Sequence, residues 1–217
     1  MDTCTEINRW VIFKGVNHVK NSRQQSAFRV KHHLPRHARA FSLYEALVTL
    51  TVVSTVTTIA VPSFQQLISS QRMSGAVNSL VAALSLTRSE TIKRGERAVL
   101  CPSPDGRACR TNSVGGTAWE EGYLLYIDRN GNHEFDADEI AVRIFSATEG
   151  LHIRSSAYRD HVSYLPNGMA SGSNITFTFC DKHGRGTPRA VIVSNSGRPR
   201  TSTRDASGGA ISCPAAP

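Results

Sequence analysis

An α+β fold is predicted, with one long N-terminal α-helix followed by an antiparallel β-sheet domain. Three observations lead there. Residues 46–71 contain no Asp, Glu, Lys, Arg or His. From Phe64 to Ile92 apolar residues recur at steps of three and four, the period of one helix face. Beyond Gly95 the chain breaks into short runs separated by Gly, Pro and Asn clusters, as strands and turns do. One helix set apart from a series of strands is an α+β arrangement.

The first 40 residues are a basic leader. They hold eight Lys or Arg against Asp2 and Glu6, and so carry most of the net charge of +8. A basic flank ahead of an apolar segment marks a cytoplasmic N-terminus. The competing reading, a basic tail for nucleic acid, rests on the charge block alone.

Residues 41–61 follow as the membrane-crossing half of the helix. About 20 apolar residues suffice to span a bilayer core. Thr49, Thr51, Thr55, Thr57 and Thr58 interrupt the run, but a threonine hydroxyl survives in lipid by bonding a carbonyl one turn back. A secretory signal has a shorter apolar region and a small-x-small cleavage site. Ala60-Val61-Pro62 fits that poorly, so the segment is expected to be retained.

Residues 62–94 are the amphipathic half. Phe64, Leu67, Ile68, Met73, Val77, Leu80, Val81, Leu84 and Ile92 form its apolar face, suited to packing on a sheet. Pro62 is expected to kink or loosen the helix, and Gly95 to end it.

Residues 95–217 form the β domain. Strands are expected at 97–101, 122–128, 140–145, 151–154, 162–165, 174–180 and 190–194. Ile175, Phe177 and Phe179 alternate with Thr176, Thr178 and Cys180, a half-buried pattern. Pro166-Asn167-Gly168 and Asn195-Ser196-Gly197 are turns.

Cys4 lies in the leader, which leaves Cys101, Cys109, Cys180 and Cys213 beyond the apolar segment. An even number there points to disulfides in an oxidising compartment. Three connectivities are open. Cys101 with Cys109 and Cys180 with Cys213 is the most economical. No CxxC pair is present, so a zinc site is not expected.

The string Ala40-Phe41-Ser42-Leu43-Tyr44-Glu45 ahead of the uncharged run resembles the N-terminus of type IV pilins and pseudopilins. Leu100-Cys101-Pro102-Ser103, Trp119-Glu120-Glu121-Gly122-Tyr123, Asp128-Arg129-Asn130-Gly131-Asn132 and Gly197-Arg198-Pro199-Arg200 are similar to the GspH/FimT branch. The resemblance runs from Phe41 onward and implies a pilin-like fold. It implies cleavage by a prepilin peptidase between Ala40 and Phe41, with methylation of the new terminus. Ala40 stands where the family usually has Gly. The leader is long for the family, and a start at Val30 would give a compact one.

Glu45 becomes the family's acid in the membrane helix. A carboxylate in hydrocarbon needs a partner, and the amino terminus of a neighbouring subunit would supply one and set register. The plainer alternative is a solvated headgroup-level Glu. The partners implied are other pilin or pseudopilin subunits, the peptidase and the inner membrane, with a single pass and a periplasmic head. The function implied is that of a minor pilin or pseudopilin in filament initiation or tip assembly, of a type IV pilus or a type II secretion pseudopilus. The alternative is pseudopilin H of type II secretion, serving protein export without DNA.

Two further patterns bear on chemistry. Asp128, Asn130, Asn132, Glu134, Asp136 and Glu139 fall at the ligand positions of a twelve-residue calcium loop, but His133 stands where that loop needs Gly. An Asn-Gly turn between two strands accounts for the same residues, so no metal is expected. The segment 181–217 holds six Lys or Arg against Asp181 and Asp205, whereas residues 101–150 hold nine acids against four bases. In minor pilins, a Gly-Arg-x-Arg tail is associated with DNA capture. Gly197, Arg198 and Arg200 match it, with Arg189 and Arg204 nearby. No Phe, Trp or Tyr occurs in 181–217, so any contact there would be to phosphates rather than by base stacking. The bland reading is a solvated basic tail or a subunit contact. No nucleophile elbow or phosphate loop is present; neither an enzyme nor a cofactor is expected.

Overall fold

The computed structural model describes residues 41–110 and 116–213. The leader, Ala40 included, lies outside the described residues. Helix α1 runs from Leu43 to Arg94, about 78 Å at ~1.5 Å per residue.

Residues 41–46 make the helix start. Ser42 caps it: its Oγ accepts the Glu45 N–H at 3.2 Å and its carbonyl accepts Ala46 N–H at 3.1 Å. Ser42-Leu43-Tyr44-Glu45 has the S-x-x-E spacing of a capping box. An acid in the first turn also meets the positive end of the helix dipole.

Within residues 47–213, α1 continues without interruption through Pro62. Its hydroxyls bond backward as expected. Thr51, Thr55, Thr57 and Thr58 donate to carbonyls three or four residues earlier at 2.8–3.0 Å. Gly95 stops the helix at φ 69, and its N–H bonds the Thr91 carbonyl at 3.0 Å. Such a left-handed residue costs glycine little.

Eight strands follow: β1 (Arg97–Pro102), β2 (Tyr123–Asp128), β3 (Ile140–Phe145), β4 (Leu151–Ser155), β5 (Val162–Tyr164), β6 (Ile175–Asp181), β7 (Arg189–Val193) and β8 (Pro199–Ser202). They form two antiparallel four-stranded sheets, β3-β2-β1-β5 and β4-β6-β7-β8. One core joins α1 to both. Met73, Leu80 and Leu84 of the helix meet Leu100 and Leu125 of the first sheet and Phe177, Phe179 and Val191 of the second. Trp119 sits among them, edge-on to Phe177 at 4.8 Å. A second cluster, Val99, Cys101, Leu124 and Tyr126, lies on the other face of the first sheet with Cys109 and Phe135 against it. β2 is therefore buried on both faces.

Two expectations are corrected. The sheet-packing face of α1 begins at Ser69, not Phe64. Phe64, Leu67, Ile68 and Ile92 are exposed, and the buried set is Ser69, Met73, Ala76, Val77, Leu80, Ala83, Leu84, Thr87 and Thr91. Small and hydroxyl side chains let the helix lie close to the sheets, and a count of large apolar residues misses them. The basic motif near the C-terminus, where no strand is expected, forms an eighth one. Pro199 and Arg200 begin β8, paired with Val193 and Ile192. Proline is tolerated there because it opens an edge strand.

Both disulfides form in the most economical pairing. Cys101–Cys109 has a Cα separation of 5.5 Å and Cys180–Cys213 one of 5.8 Å. The second ties the segment after β8 back to the central strand β6.

Candidate functional site

The first region is the exposed half of α1. By length and composition the helix can cross a membrane, and none of its most apolar stretch is buried. Leu50, Val53, Val56, Ile59, Phe64 and Ile68 all face outward; Ile59 is 77 % exposed. Exposed apolar surface on this scale marks a contact with lipid or protein. Glu45 is exposed in the first turn, three residues from its Ser42 cap.

The helix changes character at Ser69, whose hydroxyl donates to Asp181 Oδ2 at 2.7 Å and lies 3.1 Å from the Arg185 carbonyl. Burial pushes the Asp181 carboxyl up. The Ser69 hydroxyl and the N–H groups of Arg185 and His183 outweigh it and hold the carboxyl below the usual range.

The second region is the basic motif, and the structure divides its candidates. Gly197 turns the chain at φ 73, where an added Cβ would meet the Gly168 carbonyl at 2.3 Å and the Tyr164 ring at 3.0 Å. Its role is to seat the turn. Arg198 and Arg200 are exposed, and neither side chain has an ion pair or hydrogen bond among the described residues. Arg204 is held in place: its guanidinium donates to the Gly208 carbonyl at 3.0 Å. Arg189 lines a hollow with Ser70 and Met73 of α1, whereas Arg200 pairs with Ile192 in a cross-strand row with Thr176. In β7, Arg189 shares its face with core residues Val191 and Val193 and Ile192 faces the other way. Arg189 and Arg200 thus lie on opposite faces of the second sheet.

The turn at 128–139 uses its own side chains. Asn130 and Asn132 accept the N–H groups of Asn132 and Glu134, and both donate to Asp136 Oδ2 at 2.8 Å. Glu139 accepts the Arg129 and Asp136 N–H groups. Buried Asp128 accepts Gly131 N–H at 2.6 Å and faces Arg97 at 3.8 Å. His133 takes the left-handed conformation at φ 63 and stacks on His161 at 4.6 Å. Among the described residues no group of three or more His, Cys, Asp or Glu is set to hold a metal ion.

Sequence reasoning missed Arg159. It follows the 156–159 turn, where Arg159 N–H bonds the Ser156 carbonyl at 3.1 Å. Its guanidinium donates to the Gly172 carbonyl at 2.8 Å and to Asn174 Oδ1 at 3.1 Å. No local pattern marks it. Only the folded chain brings it into one hollow with Arg200.

One apolar helix carrying a disulfide-closed head of two antiparallel sheets defines a helix-anchored, pilin-like protein. The family model for type II transport protein GspH matches residues 76–197, and the chain belongs to that family. Among curated proteins, none matches. The fold is similar to that of the type IV minor pilin FimU of Pseudomonas aeruginosa, at 18 % identity and TM-score 0.48, covering 61 % of this chain and 89 % of that one. It is also similar to the minor pseudopilin EpsH from the type 2 secretion system of Vibrio cholerae, at 14 % identity and TM-score 0.41, covering 60 % and 95 %.

Proposed function

We propose that this chain is a low-abundance structural subunit of a type IV pilus or type II secretion pseudopilus, acting in filament initiation or tip assembly. The observation that carries the proposal is the exposed apolar half of α1 joined to a closed head. Such a helix suits the inner membrane before assembly and neighbouring subunits' helices afterwards, with the head in the periplasm. Prepilin peptidase cuts between Ala40 and Phe41, the new terminus is methylated, and Glu45 pairs with the terminus of a neighbour. Mass spectrometry of the protein from its native membrane tests this. The expected N-terminus is N-methylated Phe41, and a mature protein still carrying residues 1–40 would overturn the processing step. Deleting the gene should reduce surface filaments or secretion; the affected system identifies the branch.

A second reading, DNA capture, is favoured by the exposed and unpaired state of Arg198 and Arg200. Phosphate contacts release counterions, so binding falls steeply with salt. Arg198→Ala/Arg200→Ala should weaken binding to a mixed-sequence duplex at low salt; unchanged affinity counts for an export pseudopilin without DNA contact.

A further inference from the structure

The outer face of the second sheet carries a cavity of about 390 Å3 that the basic motif alone does not explain. Arg159 and Arg200 both line it, together with Asn174, Thr176, Ile192 and Asn195. Among the described residues no Asp or Glu lines it. Two guanidinium groups in one hollow without a carboxylate leave positive charge unneutralised at short range. Two acids lie close by: Asp160, next to Arg159 in the chain, has its Oδ1 2.8 Å from His161 Nδ1, and Asp205 borders an adjoining hollow with Ser156 and Thr176. The Asp205 Oδ1 already accepts bonds from Ser207 and from Gly209 N–H.

We infer that this trough is a phosphate-binding groove in which Arg159 and Arg200 hold one nucleic-acid backbone. The inference rests on the DNA reading above and adds a binding residue from a different part of the chain.

The geometry supports it in three ways. Arg159 is pre-oriented, because two of its donors are spent on Gly172 and Asn174. A guanidinium has five, so donors remain for a bidentate phosphate contact. Thr176, Ile192 and Arg200 form one cross-strand row over β6, β7 and β8. At ~4.8 Å per strand this row is roughly 10 Å wide, enough floor for a single backbone to lie across. The cavity also lacks any Phe, Tyr, Trp or Met. Base stacking needs an aromatic ring, which this lining does not offer. What remains is recognition of a polyanionic backbone by charge and hydrogen bonds.

The test uses the full chain in neutral detergent and a fluorescein-labelled mixed-sequence duplex, with affinity followed from about 50 to 200 mM salt. Each lost phosphate contact lowers the slope of log affinity against log salt by about 0.9. Arg159→Gln should lower it by about that amount, and Arg198→Ala/Arg200→Ala by up to about twice as much. Arg159→Lys keeps the charge and should keep the slope, which a merely structural role for Arg159 does not predict. Thermal unfolding of each variant reports whether the head is intact. If Arg159→Gln binds as wild type while the double variant weakens, the groove is wrong and the tail reading stands. If neither changes binding, both fall. If polyglutamate competes as well as unlabelled DNA, the groove takes an acidic protein and the inference is overturned.

Discussion

Residues 47–68 and 69–94 are consecutive stretches of one helix, yet they solve opposite problems. The first presents Val, Leu, Ile and Phe outward and is buried nowhere. The second buries Ser69, Ala76, Ala83, Thr87 and Thr91 beside Met73, Leu80 and Leu84. The half richer in large apolar side chains is the exposed one. The half that packs on the sheets does so largely through small residues. Hydrophobicity and burial are thus separated along one helix: lipid or a neighbouring helix demands bulk, and close approach to a sheet demands its absence.

Substitutions on the two halves break or sharpen this contrast. The largest effect belongs to Leu84→Ala, in the packed half. It should destabilise the head by about 2–5 kcal/mol in thermal unfolding of the full chain in neutral detergent. Val53→Ala should leave the same transition where it is; an equal loss would abolish the distinction. Next comes the link closing the head. Cys180→Ser/Cys213→Ser should cost about 2–4 kcal/mol, and intact β7–β8 amide protection after that change would show the link idle.

A smaller effect marks the boundary itself. Ser69→Ala removes the hydroxyl from Asp181 and should cost about 1 kcal/mol. The folded-state carboxyl of Asp181 is held low, so its stabilisation is complete above the ordinary carboxylate range and is lost as pH falls through it. Ser69→Ala should shrink that acid-side loss in a series of melts against pH. The smallest effect is at His133, away from the helix. Burial, then the neighbouring His161 charge, hold its imidazole below the usual range. Folding favours the neutral ring, so stability is full above the ordinary histidine range and declines as pH falls through it. His133→Asn, whose side chain tolerates the left-handed backbone, should flatten the melts between about pH 7 and 5, a window set by the ordinary histidine pKa near 6.5.

Much of the architecture was legible because it repeats a pattern. The uncharged run, the three-and-four spacing and the Ile175-Phe177-Phe179 alternation each report a period, and the helix and seven strands appear within a residue or two of their expected places. Where the physics was not periodic, the sequence was silent. β8 reads Pro-Arg-Thr-Ser and shows no apolar alternation, because an outer edge strand buries little. The start of the packed face at Ser69 was hidden because Phe64, Leu67 and Ile68 continue the same spacing one turn too far. Of the basic candidates, the spacing of Arg198 and Arg200 was visible. That Arg189 lies on the other face depends on pairing register, and that Arg204 is held by Gly208 depends on the turn after β8. Arg159 is placed by loop contacts to Gly172 and Asn174 that no local pattern announces.

The Cys180–Cys213 bond also decides how the head would carry a pull. β8 has one hydrogen-bonded neighbour, so tension applied at Arg200 alone would unzip it from β7 one bond at a time. The chain beyond β8 returns covalently to Cys180 in β6, and β6 is held by β4 on one side and β7 on the other. Force entering at the edge is therefore delivered to the middle of the sheet, where strands must slide together rather than peel. An edge strand closed in this way behaves as an eyelet rather than a loose end.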